Sequence, residues 1–318
     1  MMLLRIALLA AGIGIAGCGC VSDAVVSARE AAVEAFRAGR YEEAFREFAG
    51  LGFSGDAISC CYLGVMYRDG LAVRRDPDRA FLCFLKAAEQ EVPAAQYQLS
   101  LCFLEGRGAE RDPAAFLEWT RKAAAREYPA ALVNLGACYL SGFQVEQDSE
   151  KGVELLARAA ALGSNSARVR LAECRLQGVA AKPDWEEAVM LLQEAAAAGN
   201  ARGSFLLGAL VCCFPELEEA AGASGIDLLA AASNRGEPRA MLLAAVVLRS
   251  RGKEKLAGEL SAHVRDRKLL AEPLRKRYGA EYAAFWKRVE KDDFADPSEK
   301  RTLFLRCFVD SPSPDSGV

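Results

Sequence analysis

The sequence predicts an all-α protein, in which a tandem array of helix-turn-helix repeats is followed by a helical cap at the C-terminal end. Three series of residues recur at a spacing of 36 residues, and a fixed period of this kind indicates a repeat architecture. One is a leucine, at Leu63, Leu99, Leu135, Leu171 and Leu207. Another is a glycine with an aspartate six residues after it, at Gly70 and Asp76, Gly106 and Asp112, Gly142 and Asp148, and Gly178 and Asp184. The third is a pair of alanines, at 87–88, 123–124, 159–160, 195–196 and 231–232.

The N-terminal segment precedes the repeats and predicts export of the chain. Arg5 is followed by an apolar run at 6–17, which is too short to span a bilayer as a helix and is typical of a secretory signal peptide. The stretch from Ile15 to Cys18 resembles the bacterial lipobox, which implies cleavage before Cys18 and attachment of lipid to it; an ordinary secretory signal is the alternative. We therefore expect residues 1–17 to be a signal peptide and residues 18–29 to be a lipidated cysteine with a short tether. The expected location is the periplasmic face of the bacterial outer membrane.

Each repeat is predicted to contain two helices, A and B. Helix A carries the leucine and ends at the glycine, since glycine readily adopts the left-handed conformation that commonly ends a helix. Helix B begins at the aspartate, whose carboxylate accepts hydrogen bonds from the free N–H groups of the first turn. The repeats are expected over 30–252, with clear units at 57–92, 93–128, 129–164 and 165–200 and degenerate parts at 30–56 and 201–252. Where Ala220 replaces the aspartate, helix B is expected to start late, near Ser224.

Residues 253–310 lie outside the repeat register and are predicted to form the cap. Within 272–291 an apolar stripe at helical spacing comprises Leu274, Tyr278, Tyr282, Trp286 and Val289. The stripe would cover the apolar end of the array, because terminal repeats need such a cover. Contact with anionic lipid is the alternative. Residues 296–310 predict one more short helix that begins at Asp296, and residues 311–318 predict a disordered tail.

The repeating pattern of Leu-Gly-x-x-Tyr, then Gly, Asp and an alanine pair, as in the segment that begins at Leu135, resembles the Sel1-like repeat, a relative of the tetratricopeptide repeat. The resemblance covers about residues 30–252 and is strongest over the four clear units. It implies a right-handed α-solenoid whose A helices line a concave surface. It also implies that this surface is used chiefly to bind other proteins.

Three cysteines occupy one position of the repeat. They are Cys102, Cys138 and Cys174, and Met66 and Leu210 stand at the same position in other units. A position that accepts Cys, Met or Leu requires an apolar side chain of modest size, so we predict core packing. Equivalent residues on stacked repeats lie about 10 Å apart, too far for a disulfide. An oxidising compartment would allow one bridge within a repeat, from Cys60 or Cys61 to Cys83, and Cys61–Cys83 is the candidate.

The sequence lacks the patterns of common catalytic and metal sites. His263 is its one histidine, so the commonest general base and metal ligand is missing from nearly the whole chain. Ser250 and Lys253 fit a Ser-x-x-Lys pattern, but the SDN and KTG elements of penicillin-binding enzymes do not accompany it. We therefore expect no enzymatic activity, no cofactor and no metal site. The net charge of −3 argues against nucleic-acid binding, which normally requires a strongly basic domain.

Exposed A-helix residues beside the recurring leucine are the candidate protein-binding residues, by analogy with the tetratricopeptide groove. The predicted groove residues are Arg68, Tyr97, Leu101, Val133, Asn134, Val169, Arg170, Glu173, Arg202 and Phe205. Such a surface would suit an apolar or extended peptide segment. The predicted function is therefore a non-catalytic scaffold or adaptor that binds another envelope protein or peptide. The alternative is a protein that binds or modifies cell-wall peptide or β-lactam, and it rests on resemblance to a cysteine-rich branch of Sel1-repeat proteins.

Overall fold

A computed structural model describes residues 23–266, 272–291 and 296–309 of the 318-residue chain. The chain divides into two compact units, Met1–Asp148 and Ser149–Val318. This boundary falls inside the predicted repeat 129–164, between its A and B helices. The predicted signal peptide, the lipidation site Cys18 and the predicted tail 311–318 lie outside the described residues.

Within the described residues 23–148, the first unit consists of seven helices joined by short loops. They are α1 (Asp23–Arg37), α2 (Tyr41–Phe53), α3 (Ala57–Asp69), α4 (Pro77–Glu89), α5 (Pro93–Glu105), α6 (Pro113–Ala125) and α7 (Pro129–Ser141). Each helix packs against the next one in sequence. The predicted A helices are α3, α5 and α7, and the B helices that alternate with them are α2, α4 and α6.

The described residues of the second unit are also helical. They form α8 (Ser149–Ala161), α9 (Asn165–Gln177), α10 (Trp185–Ala197), α11 (Ala201–Cys213), α12 (Glu218–Ala221), α13 (Gly225–Asn234), α14 (Pro238–Ser250), α15 (Glu254–Asp266), α16 (Glu272–Lys291) and α17 (Pro297–Phe304). A 3-10 turn at Pro215–Leu217 precedes α12, and a π-helical turn at Leu305–Val309 follows α17. Here α9, α11 and α14 are A helices, and α8, α10 and α13 are B helices. The predicted all-α repeat fold is confirmed. Among the described residues, no helix combines the length and hydropathy that crossing a membrane requires.

The loop from helix A to helix B repeats one hydrogen-bond pattern, which explains the recurring glycine and aspartate. Gly70 ends α3 with a left-handed φ of 72°, and the corresponding glycines of α5, α7 and α9 do the same. Asp76 begins α4 by accepting a hydrogen bond from Arg79 N at 3.0 Å. Its own N–H donates to the carbonyl of Tyr67 in helix A at 2.9 Å, and Asp112, Asp148 and Asp184 repeat that bond. The loop therefore ties the end of one helix to the start of the next and fixes the period.

Two predictions at the ends of the clear repeats had different outcomes. The late start of helix B in the fifth unit is confirmed, because Ser224 accepts a hydrogen bond from Asp227 N at 3.2 Å and α13 begins at Gly225. By contrast, residues 23–29 were expected to belong to a tether and instead form the first half of α1. The alanine-rich sequence favours a helix, and an acidic residue in the first turn, Asp23, favours it further. The ring of Phe36 then fixes the helix against Phe48 of α2, with ring centroids 6.4 Å apart.

The small residue that follows each leucine allows helix A to approach helix B closely. A Cβ added at Gly64 of α3 would lie 2.5 Å from Cε1 of Phe84 on α4, well inside van der Waals contact. Phe84 is itself completely buried. Its ring therefore packs directly on the backbone of α3, and a larger residue at position 64 would force the two helices apart.

The cysteines are packing residues. Cys102, Cys138 and Cys174 are buried free thiols, which confirms the predicted core role. The predicted Cys61–Cys83 disulfide is not formed in the structure, where Cys60, Cys61 and Cys83 are all free. Burial raises the pKa of the Cys61 thiol to about 12, so its enclosed position favours the protonated thiol. The Cys60 thiol donates to the carbonyl of Gly52 at 3.6 Å.

The apolar stripe of the C-terminal region packs against protein, as predicted for a cap. Tyr278, Tyr282 and Trp286 of α16 are buried, and α16 packs on α14. Val289 is partly buried against the same core, while the side chain of Leu274 lies outside what the structure describes. The buried side of α16 is therefore not available to a membrane surface.

Candidate protein-binding surface

The A-helix face of the first unit carries half-exposed side chains from successive repeats. We define it by Arg68 of α3, Tyr97 and Leu101 of α5, and Asn134 of α7, all of which are half-buried. Arg68 Nη1 donates to Gln98 Oε1 at 2.5 Å, so a side-chain contact joins α3 to α5. The guanidinium of Arg68 also pairs with Asp69, with Nη2 and Oδ2 2.7 Å apart. This edge of the face is therefore polar and held in position.

Tyr97 and Asn134 connect the next pair of repeats. Asn134 hydrogen-bonds to the Tyr97 hydroxyl; burial raises the pKa of Tyr97, and this hydrogen bond opposes the increase. The ring of Tyr97 contacts that of Tyr128, with centroids 5.4 Å apart. Leu101 lies one turn further along α5, and its apolar side chain is half-buried. The face thus combines fixed hydrogen-bonding groups with apolar area, as sites that bind protein segments do.

The expectation that Val133, Val169 and Phe205 are exposed is wrong. Val133 and Val169 are 6% and 4% exposed, and Phe205 is completely buried. In a helix-pair array, an A helix packs against its own B helix and against neighbouring repeats. The buried part of an A helix's circumference is consequently wider than the single row of residues that contains the recurring leucine. Every residue of α11 from Gly203 to Cys213 is buried, which shows the extent of this effect.

The A-helix face of the second unit is charged at its centre. We define it by Arg170 and Glu173 of α9 and Arg202 and Phe205 of α11. Arg202 pairs with Glu173, with Nη2 and Oε1 3.1 Å apart, and this ion pair joins neighbouring A helices. Burial lowers the pKa of Arg202, and the Glu173 carboxylate opposes that shift. Arg170 is exposed beside this pair.

The second face is covered by the C-terminal segment of the same chain, which we define as Pro297–Val309. Arg202 Nη2 donates to the backbone carbonyl of Phe308 at 3.0 Å. The ring of Phe308 lies 6.1 Å from that of Phe205 and 5.0 Å from that of Tyr282. Phe304 contacts Trp185 and Phe214, with both centroid distances 5.8 Å. Both phenylalanines of the segment are completely buried.

Sequence reasoning assigned this segment to the predicted cap, 253–310, but did not identify the surface on which it docks. The segment lies outside the repeat register, so the period gives no position for it. Phe304 and Phe308 are four residues apart, and that spacing places both side chains on one helical face. The spacing could have indicated an apolar face that needs a partner, although it could not have identified the partner as α10 and α11.

The residues that fit a catalytic pattern do not form a site with a free nucleophile. The Ser250 hydroxyl donates to the carbonyl of Val247 at 2.8 Å and accepts from Trp286 Nε1 at 2.9 Å. Its proton is therefore engaged within α14, and its oxygen accepts a hydrogen bond that joins α14 to α16. Among the described residues, no cluster of three or more His, Cys, Asp or Glu side chains could hold a metal ion.

Comparison with known proteins agrees with this geometry. Residues 57–92, 93–128, 129–164 and 165–200 each match the family model described as Sel1 repeat. A Sel1 repeat protein from Oxalobacter formigenes superposes with a TM-score of 0.66 and 25% identity, covering 75% of this chain and 99% of that one. A protective antigen of uropathogenic Escherichia coli with the same repeat fold superposes with a TM-score of 0.57 and 20% identity, covering 85% of this chain and 61% of that one. No curated protein sequence matches the chain. The chain therefore contains four tandem Sel1 repeats.

Proposed function

We propose that this chain is a non-catalytic protein-interaction scaffold, exported and anchored through lipid on Cys18 to the periplasmic face of the bacterial outer membrane. It binds a segment of another envelope protein on the A-helix face of its first unit. Anchoring follows from the lipobox-like stretch that ends at Cys18, and the interaction role is what Sel1 repeats generally support.

The observation that carries the binding role is the occupied state of the second face. There, A helices of the array already hold a short helical segment by aromatic packing and by one hydrogen bond from Arg202 to a backbone carbonyl. In the first unit the corresponding A helices present half-exposed Tyr97, Leu101 and Arg68. A face of this kind takes a helical or extended segment of a partner, with side-chain pockets providing specificity.

Site-specific photocrosslinking tests this proposal in the full chain. A photoreactive amino acid replaces Leu101 on the A-helix face of α5. The matched control replaces Leu82, which is 61% exposed on the B helix α4 of the same unit. In envelope fractions we expect a discrete crosslinked protein from position 101 and none from position 82. Equal patterns from both positions, or none from position 101, would argue against a binding role for this face.

A further inference from the structure

We infer that the C-terminal segment Pro297–Val309 is an internal ligand, and that the second A-helix face binds a partner segment with the same arrangement of side chains when the internal one is displaced. The partner segment is helical and carries two cationic residues followed by two aromatic residues one turn apart. This inference depends on the proposed function only in that A-helix faces bind protein segments. It concerns the second unit, so it can fail while the first face still binds.

The contacts of the internal segment define this arrangement. Lys300 Nζ lies 4.8 Å from the centroid of the Phe214 ring, and the Arg301 guanidinium lies 5.0 Å from that of Trp185. Phe304 packs against both of these rings, which lie at the start of α10 and just after the end of α11, and Phe308 packs on Phe205 of the A-helix face. Two cation–π contacts and two buried aromatic side chains therefore supply most of the recognition.

The internal fit leaves two buried polar groups unsatisfied. Nη1 of Arg202 and the hydroxyl of Tyr282 are both buried without a hydrogen-bond partner among the described residues. Both can donate, and each costs free energy as long as no acceptor reaches it. These two unsatisfied groups consequently offset part of the free energy that the aromatic contacts contribute to docking of the internal segment. A partner segment that also presents an oxygen acceptor here would bind in preference.

The segment is also attached more weakly than the repeat helices. Its regular α-helical part is only eight residues long, which is too short to be stable without its contacts. Several of its side chains, among them Arg301 and Thr302, are exposed. It is linked to α16 by stacking of Phe308 on Tyr282 and by an ion pair between Arg288 Nη2 and Glu299 Oε1, at 2.7 Å, in which both side chains are about one-third exposed. Local release of this segment therefore requires less disruption than opening any A helix.

Fluorescence polarisation tests the inference with a labelled synthetic peptide of residues 296–309 that carries Cys307→Ser. The full chain is compared with its Phe304→Ala/Phe308→Ala variant, in which the internal segment loses its two aromatic anchors. Because an occupied site lowers apparent affinity by the fraction that is open, we expect the variant to bind the peptide at least about tenfold more tightly. A control peptide with both phenylalanines replaced by alanine should not bind either protein. Equal binding of the peptide to both proteins, or equal binding of the control peptide, would overturn the inference.

Two further measurements keep the outcome decisive. Amide hydrogen exchange on the unmodified chain should show residues 297–309 exchanging at least about tenfold faster than α11 and α14, and equal protection would overturn the inference even if the variant failed to fold. Sedimentation of the full chain distinguishes a second copy as the occupant. If the full chain forms a dimer that disappears in the Phe304→Ala/Phe308→Ala variant, the second face binds the C-terminal segment of another copy. That result would overturn the inference of a partner protein. Crosslinking from position 101 reports on the first unit independently of all these results.

Discussion

At the scale of single residues, burial determines what the cysteines can do. Cys102 and Cys174 stand at one repeat position on A helices, and burial raises the pKa of each thiol to about 11. The pKa of Cys138 is raised for the same reason. A nucleophilic or redox-active cysteine needs the opposite shift, because the thiolate is the reactive form. These side chains therefore serve as small apolar residues that happen to contain sulfur.

The raised pKa values predict slow alkylation of the folded protein. At pH 8 a thiol with the ordinary pKa of 9.0 is about 10% thiolate, whereas one with a pKa of about 11 is about 0.1% thiolate. Iodoacetamide should therefore modify Cys102 and Cys174 about 100-fold more slowly in the folded chain than in guanidinium, as followed by peptide mass spectrometry. Labelling of these two residues at the unfolded rate would contradict the burial argument. Because the folded pKa lies above the unfolded one, the associated stability is complete below about pH 9 and is lost as the pH rises towards 11.

The engaged hydroxyl of Ser250 predicts that the chain does not react with β-lactams. This hydroxyl donates to Val247 O within α14 and accepts from Trp286 Nε1 of α16, so attack on a carbonyl would first break one bond within α14 and one between α14 and α16. A fluorescent penicillin should leave no more label on the purified chain than on its Ser250→Ala variant. Covalent label that disappears in Ser250→Ala would instead favour a β-lactam-binding function.

At the scale of elements, the sequence predicts helix ends better than it predicts exposed faces. The ends depend on local chemistry, so Gly70, Asp76 and Ser224 mark them correctly. The exposed face depends on how many neighbours a helix has. An analogy that places the residue two before the leucine on the surface fails at Val133 and Phe205, because neighbouring helices cover that position. It succeeds better at Tyr97, whose side chain is longer and remains half-exposed.

Two glycines in the first unit, one against a buried ring and one in open space, predict opposite effects of substitution by alanine. Gly64→Ala places a methyl group 2.5 Å from the fully buried Phe84 ring, so overpacking should destabilise the chain by about 1–3 kcal/mol. Gly50→Ala in α2 meets nothing within 4 Å, so the better helix propensity of alanine should stabilise it by up to about 1 kcal/mol. Urea unfolding followed by circular dichroism measures both. Equal stability of the two variants would mean that Phe84 can move away from the α3 backbone.

At the scale of the whole molecule, the two units carry related faces in different states. The first face presents Tyr97, Leu101 and Asn134 half-exposed, while the second is covered by residues 297–309. The repeat period predicts both faces, because it places equivalent residues on successive A helices. It cannot predict the covering segment, since Phe304 and Phe308 belong to no repeat and their partners Trp185 and Phe214 are distant in sequence. Docking of that kind depends on tertiary packing, which a periodic pattern does not contain.

The proposed membrane anchor leads to a prediction for the whole chain that separates two neighbouring cysteines. Ile15, Ala16 and Gly17 precede Cys18 in the order that the lipobox requires, whereas Gly17 would take the branched apolar position if Cys20 were the lipid acceptor. In a bacterial host supplied with labelled palmitate, Cys18→Ser should abolish incorporation of label and release the chain from the membrane fraction. Cys20→Ser is the matched control and should keep both. A single lipid-bearing residue is expected to hold the protein at the membrane because lipidation of a lipoprotein cysteine adds more than one acyl chain, and two chains suffice for stable anchoring. Membrane retention of Cys18→Ser without label would instead indicate that binding to an envelope partner holds the chain there.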